Sequence, residues 1–142
     1  MFVRQFFVPG LAHSSYLLAG AGACAIVDPR RDIDIYLEAA KEMGVRITHI
    51  LETHLHADFI SGHMDLAAAT GAVIVGPRAG RMTFEHQAVA QGDQFMLEDM
   101  RIMVLDVPGH TPEHIAYVVV DKARGRDPVA VFCGDALFVG DV

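Results

Sequence analysis

Glu52-Thr53-His54-Leu55-His56-Ala57-Asp58-Phe59-Ile60-Ser61-Gly62-His63 is the stretch on which the reading of this chain turns. It leaves an apolar run, residues 47–53, that reads as a buried strand, and it leads into a helix with Ser61 as its cap and Gly71 as its stop. Two histidines two positions apart at a strand end can project to the same side, with Asp58 two further on. One loop then presents several ligand-type groups to one ion. Two more such loops follow. Pro108-Gly109-His110-Thr111-Pro112-Glu113-His114 and Phe132-Cys133-Gly134-Asp135 also sit at predicted strand ends, where a rigid sheet usually holds functional loops. A lone His-x-His is weak evidence; three ordered loops carrying His, His and Asp are strong.

Around these loops the chain reads as an interleaved α/β domain. Strands are predicted over 2–8, 15–18 and 23–27, then a helix over 33–43 capped by Asp32 and stopped by Gly44. After the second helix a strand covers 73–75, residues 78–92 lack a clean period, and hairpins are expected from 94–97 with 100–107 and from 115–120 with 129–133. Several of these pairs are antiparallel, so a mixed sheet covered by helices fits better than a doubly wound parallel one.

The composition of the 142 residues narrows the function. Eleven Lys+Arg against 18 Asp+Glu leave a net charge of −7, which opposes nucleic-acid and anionic-membrane partners. Two cysteines, Cys24 and Cys133, exclude a disulfide framework and a thiolate-only metal site, and they fit the reducing cytoplasm. No apolar run reaches the roughly 20 residues that span a bilayer. Eight histidines are present and seven lie between positions 49 and 114. Of these, His49 reads as a sheet histidine and His63 and His86 as surface residues, while packing and a place near the metal are equally open for His114. Cys24 reads as core and Cys133 as a small strand residue beside the site.

His54-Leu55-His56-Ala57-Asp58, Gly109-His110-Thr111 and Gly134-Asp135 resemble, in order, the metal motifs of the metallo-β-lactamase fold superfamily, and Asp28 its first acidic motif. The resemblance implies an α/β (α+β) fold, an αββα sandwich with the metal at one edge between the sheets. Residues 52–63 and 132–138 are closest to the persulfide dioxygenases, especially bacterial members with a following rhodanese domain. That family implies His54, His110 and Asp135 as ligands of one Fe(II) per chain, with His56 and Asp58 orienting waters or ligands around it. Phe59 stands where the zinc hydrolases of this fold carry a further histidine, and losing that ligand leaves two histidines and a carboxylate, the set of non-haem Fe(II) oxygenases.

The expected activity is therefore oxidation of a small thiol persulfide, such as glutathione persulfide, by O2 to sulfite and thiol. The alternatives are a zinc thioester hydrolase of the glyoxalase II kind, in which His56 and Asp58 also ligate, and a metal-binding fragment without turnover. A homodimer and a downstream rhodanese domain are open partners. In the superfamily the Gly-Asp motif lies near mid-fold, so 1–142 is expected to be the N-terminal part of the domain. An exposed or borrowed cover on the apolar face of the first sheet is the corresponding structural expectation.

Overall fold

The computed structural model describes residues 1–8, 13–54, 62–107, 112–134 and 136–139. Strands β1 (Phe2–Val8), β2 (His13–Ala19) and β3 (Ala23–Val27) form an antiparallel meander. β2 starts two residues earlier than the sequence suggests, so His13 belongs to a strand rather than a loop.

Helix α1 (Asp34–Met43) follows one residue later than expected, with Ile33 rather than Asp32 at its N-cap, the Asp34 N–H donating to Asp32 Oδ1 at 3.3 Å, and Gly44 closing it at φ +69°. It buries Tyr36, Ala39 and Ala40, at the i, i+3, i+4 spacing of one helical face. β4 (Arg46–Leu51), α2 (His63–Thr70) and β5 (Val73–Pro77) continue the chain, and a single 3-10 turn (Arg78–Gly80) leads to β6 (Gln87–Val89). β3, β4, β5 and β6 run parallel, giving a mixed sheet in the order β1-β2-β3-β4-β5-β6.

The second sheet is antiparallel, in the order β11-β10-β9-β8-β7, from β7 (Gln94–Leu97), β8 (Met100–Asp106), β9 (Ile115–Asp121), β10 (Pro128–Cys133) and β11 (Ala136–Val139). Period-2 alternation divides the first sheet between two cores. Tyr16, Leu18, Ala25 and Val27 face Ile102, Val104, Tyr117 and Phe132 of the second sheet. Leu17, Cys24 and Ile26 face Tyr36 of α1 and Leu66 of α2.

These are the layers α, β and β of an αββα sandwich. Both faces of the first sheet are thus covered, contrary to the exposure expected of it. Among the described residues no helix packs on the outer face of the second sheet, and none is long and apolar enough to cross a membrane.

Glu98 joins the layers on one side. It accepts from the Gly22 N–H at 2.9 Å and the Ala23 N–H at 2.5 Å, tying the β7–β8 turn to the β2–β3 turn. Cys24 is fully buried, its thiol pushed up to about 12 by desolvation, and forms no disulfide with Cys133.

Candidate metal centre

β3 and β4 are parallel neighbours, so both deliver their C-terminal residues to the same edge. Ligands of open α/β sheets collect at such edges. Asp28 leaves β3 in a left-handed conformation, φ 50°, which short polar side chains tolerate better than most. Its carboxylate is 1% exposed and accepts two hydrogen bonds from Thr53, at 2.9 Å from the backbone N–H and 2.6 Å from the hydroxyl.

Thr53 Oγ1 also lies 2.7 Å from His54 Nδ1. The hydroxyl proton is committed to Asp28, so Oγ1 accepts on the other side and Nδ1 carries the proton. Ligation is thereby left to Nε2. An imidazole held this way through its other nitrogen is the usual arrangement of a metal ligand.

The second sheet approaches from the opposite side. Thr53 O accepts from the Ile115 N–H at 2.8 Å, and Tyr117 Oη donates to Glu52 O at 2.7 Å, so the end of β4 is bonded to β9 twice. Burial between the sheets pushes the Tyr117 hydroxyl well above its ordinary range, helped by the charges of Asp28 and Glu52. His114, just before β9, lays its ring on that of His54, with centroids 4.6 Å apart and planes 9° from parallel. Gly134, at φ +77°, meets both rings. A Cβ there would stand 2.5 Å from His114 Nε2 and 3.7 Å from His54 Cε1. Glycine is required at this position both by its dihedral and by the space.

The ends of β3, β4 and β10 and the start of β9 therefore converge on His54. Of the expected ligands, His54 is described; His110 and Asp135 lie outside the described residues, as do His56, Asp58 and Phe59. Among the described residues no group of three His, Cys, Asp or Glu comes together. His114 and Gly134 nonetheless carry the chain to His54 from the two other motifs, which fits a metal held by three loops. The donor chemistry fits as well, since His54, oriented through Nδ1 by Thr53, presents a ligand-type nitrogen at Nε2.

His49 is the sheet histidine expected, stacked on Phe95 at 5.6 Å with Nδ1 2.9 Å from Thr48 Oγ1. His86 is partly buried, its Nδ1 2.8 Å from Phe84 O. His63 departs from expectation. Its side chain is only 17% exposed and Nδ1 lies 3.0 Å from Glu52 Oε1, because the strand end that precedes the loop reaches the first turn of α2. Neither Glu52 nor the Thr53 hydroxyl stands out in the sequence, although both flank the ligand motif.

Known proteins resemble this chain in sequence and in fold. The sequence profile of the metallo-beta-lactamase superfamily matches residues 8–142. A hydroxyacylglutathione hydrolase of Methylococcus capsulatus is 42% identical over 87% of this chain and 47% of its own length. Another, of Rhodospirillum rubrum, is 40% identical over 82% of this chain and 44% of its own. The chain spans about half the length of the curated relatives it matches.

Among solved structures, a metallo-beta-lactamase from Staphylococcus aureus superposes with a TM-score of 0.86 at 35% identity, over 94% of this chain and 43% of that one. ETHE1 from Myxococcus xanthus superposes at 0.79 with 30% identity, over 84% of this chain and 54% of that one. With the profile covering nearly the whole chain, and its two sheets and helical layer arranged as the resemblance implied, this protein belongs to the metallo-beta-lactamase superfamily.

Proposed function

We propose that this chain is the metal-holding half of an enzyme that acts on the sulfur-linked group of a glutathione-type thiol, and that the reaction is hydrolysis of a hydroxyacyl thioester. The observation that carries this reading is the name shared by relatives at 42% and 40% identity, hydroxyacylglutathione hydrolase, over most of this chain. It takes the place of the dioxygenase as the leading reading.

His54, His110 and Asp135 would hold the metal, with His56 and Asp58 joining them if two zinc ions bind. When bound, such a metal supplies Lewis acidity and an acidified water. The chain's own part is positional. Asp28 and Thr53 keep the His54 proton on Nδ1, and the His114 ring stacks on one face of His54. In the reaction, water oxygen adds to the thioester carbonyl, the C–S bond breaks, and the hydroxy acid and the thiol leave.

Phe59 favours a second reading, the Fe(II) persulfide dioxygenase, because a phenyl ring cannot supply the extra ligand of a dinuclear zinc site. There persulfide, O2 and water give thiol and sulfite. A cytoplasmic location, expected from the two cysteines, goes with either.

Metal analysis of full-length protein purified without added metal, followed by both assays, separates the readings. Two zinc ions per chain and thiol release from a hydroxyacylglutathione support hydrolysis. One iron per chain and O2 uptake with glutathione persulfide replace hydrolysis with the dioxygenase. Metal-loaded protein inactive in both assays overturns both.

A further inference from the structure

We propose that Glu52 and His63 are positioning residues, a staple that closes the ligand-bearing loop and thereby sets His54. The proposal rests on His54 being a metal ligand. Glu52 is 2% exposed. Its backbone is fixed from two sides, the N–H donating to Val75 O at 2.8 Å and the carbonyl accepting from Tyr117 Oη at 2.7 Å. Its carboxylate therefore leaves a rigid point of the sheet and approaches His63 Nδ1 at 3.0 Å, a close polar contact outside hydrogen-bond geometry.

His63 is held from its ring face by Phe84, with centroids 4.4 Å apart. The residue before it is pinned as well: Gly62 N–H donates to Pro29 O at 3.1 Å, and a Cβ at Gly62 would lie 2.0 Å from Arg30 O. The chain thus leaves the sheet at Glu52, carries Thr53, His54, His56 and Asp58, and is tied back at His63.

A buried carboxylate paired with a histidine is a poor device for stability alone, because desolvation offsets most of the attraction and an apolar pair would serve as well. What such a pair supplies is proximity of the two loop ends. Tying the ends of a short loop removes conformations its ligands would otherwise lose on binding metal. The pairing also explains why an acid sits at the buried end of β4 and a histidine in the first turn of α2, neither of which the ligand set uses.

The test is Co(II) binding by the intact chain, read as affinity against a competing chelator and as the visible spectrum, for the parent, Glu52→Ala, Glu52→Gln, His63→Ala, His63→Gln and the double alanine variant. Thermal unfolding without metal is measured in parallel. We expect each alanine variant to bind Co(II) about ten-fold more weakly with an altered spectrum. The double variant should be no weaker than either single one, and His63→Gln should recover part of the affinity.

Unchanged affinity and spectrum in the alanine variants, or additive losses, overturn the staple. If an alanine variant does not fold, the glutamine variants decide, and parent-like affinity with a parent-like spectrum in both overturns it. A parent that binds no Co(II) overturns the metal reading together with the staple, whereas a parent that binds it beside unaffected variants overturns the staple alone.

Discussion

At residue scale the polarity of one hydrogen-bond chain decides what His54 can do. Asp28 is acceptor-only, so it takes both protons of Thr53, and Thr53 in turn can only accept from His54 Nδ1. Asparagine at position 28 reverses the chain. Its single carbonyl oxygen meets the Thr53 N–H, its amide donates to Oγ1, and the hydroxyl proton turns to Nδ1, which moves the ring proton to Nε2. Asp28→Asn is expected to weaken divalent-metal binding about 10- to 100-fold, with 15N NMR of the metal-free ring showing the Nε2-protonated form. An Nδ1-protonated ring in that variant contradicts the account. The His54 motif is legible in the sequence, but this polarity is not, because Asp28 and Thr53 are 25 positions apart and meet only when β3 and β4 pair. His63 misleads for the same reason: its helix turn shows no partner, and Glu52 arrives from the preceding strand.

Among the elements, long apolar runs are legible and irregular or short ones are not. β1 and β3 lie where the alternation puts them, and β7, only four residues long, is found through the Glu98-Asp99 turn that joins it to β8. β6 and β11 have three and four residues, too few for a period to register, and are formed by pairing with a neighbour already in place. β4 is instructive. Cys24 pairs with Ile47 and Ala25 with His49, so Thr48 is an extra residue that bulges and resets the alternation. Ile47 and Ile50 then face the helices, while Leu51 faces the second sheet and His49 stacks on its Phe95.

Burial holds the His49 ring below its ordinary histidine pKa. The unfolded chain therefore takes up the proton first as pH falls, so this residue's contribution is fully present above about pH 6.5 and is lost below it, down to the folded-state pKa. Urea unfolding at about pH 7.5 and 5 is expected to show a larger loss of stability in the parent than in His49→Gln; equal losses contradict the assignment.

For the whole molecule, two sheets and one helical layer bring His54, His114 and Gly134 together, and that convergence is readable only through the family resemblance. Periodicity alone gives a layered α/β domain; it does not divide the strands into a mixed and an antiparallel sheet, because hairpins and βαβ units occur in both. The expectation that the first sheet would lack a cover fails because α1 and α2 fold back onto it, through Tyr36, Ala39, Ala40 and Leu66.

The central claim is that this edge holds a divalent metal through His54. Equilibrium dialysis of the parent and His54→Ala against zinc, with metal per chain counted and folding checked by circular dichroism, addresses it directly. The account predicts at least one zinc per chain retained by the parent and lost by a folded His54→Ala; no retained zinc in the parent, or equal retention by both, would contradict it.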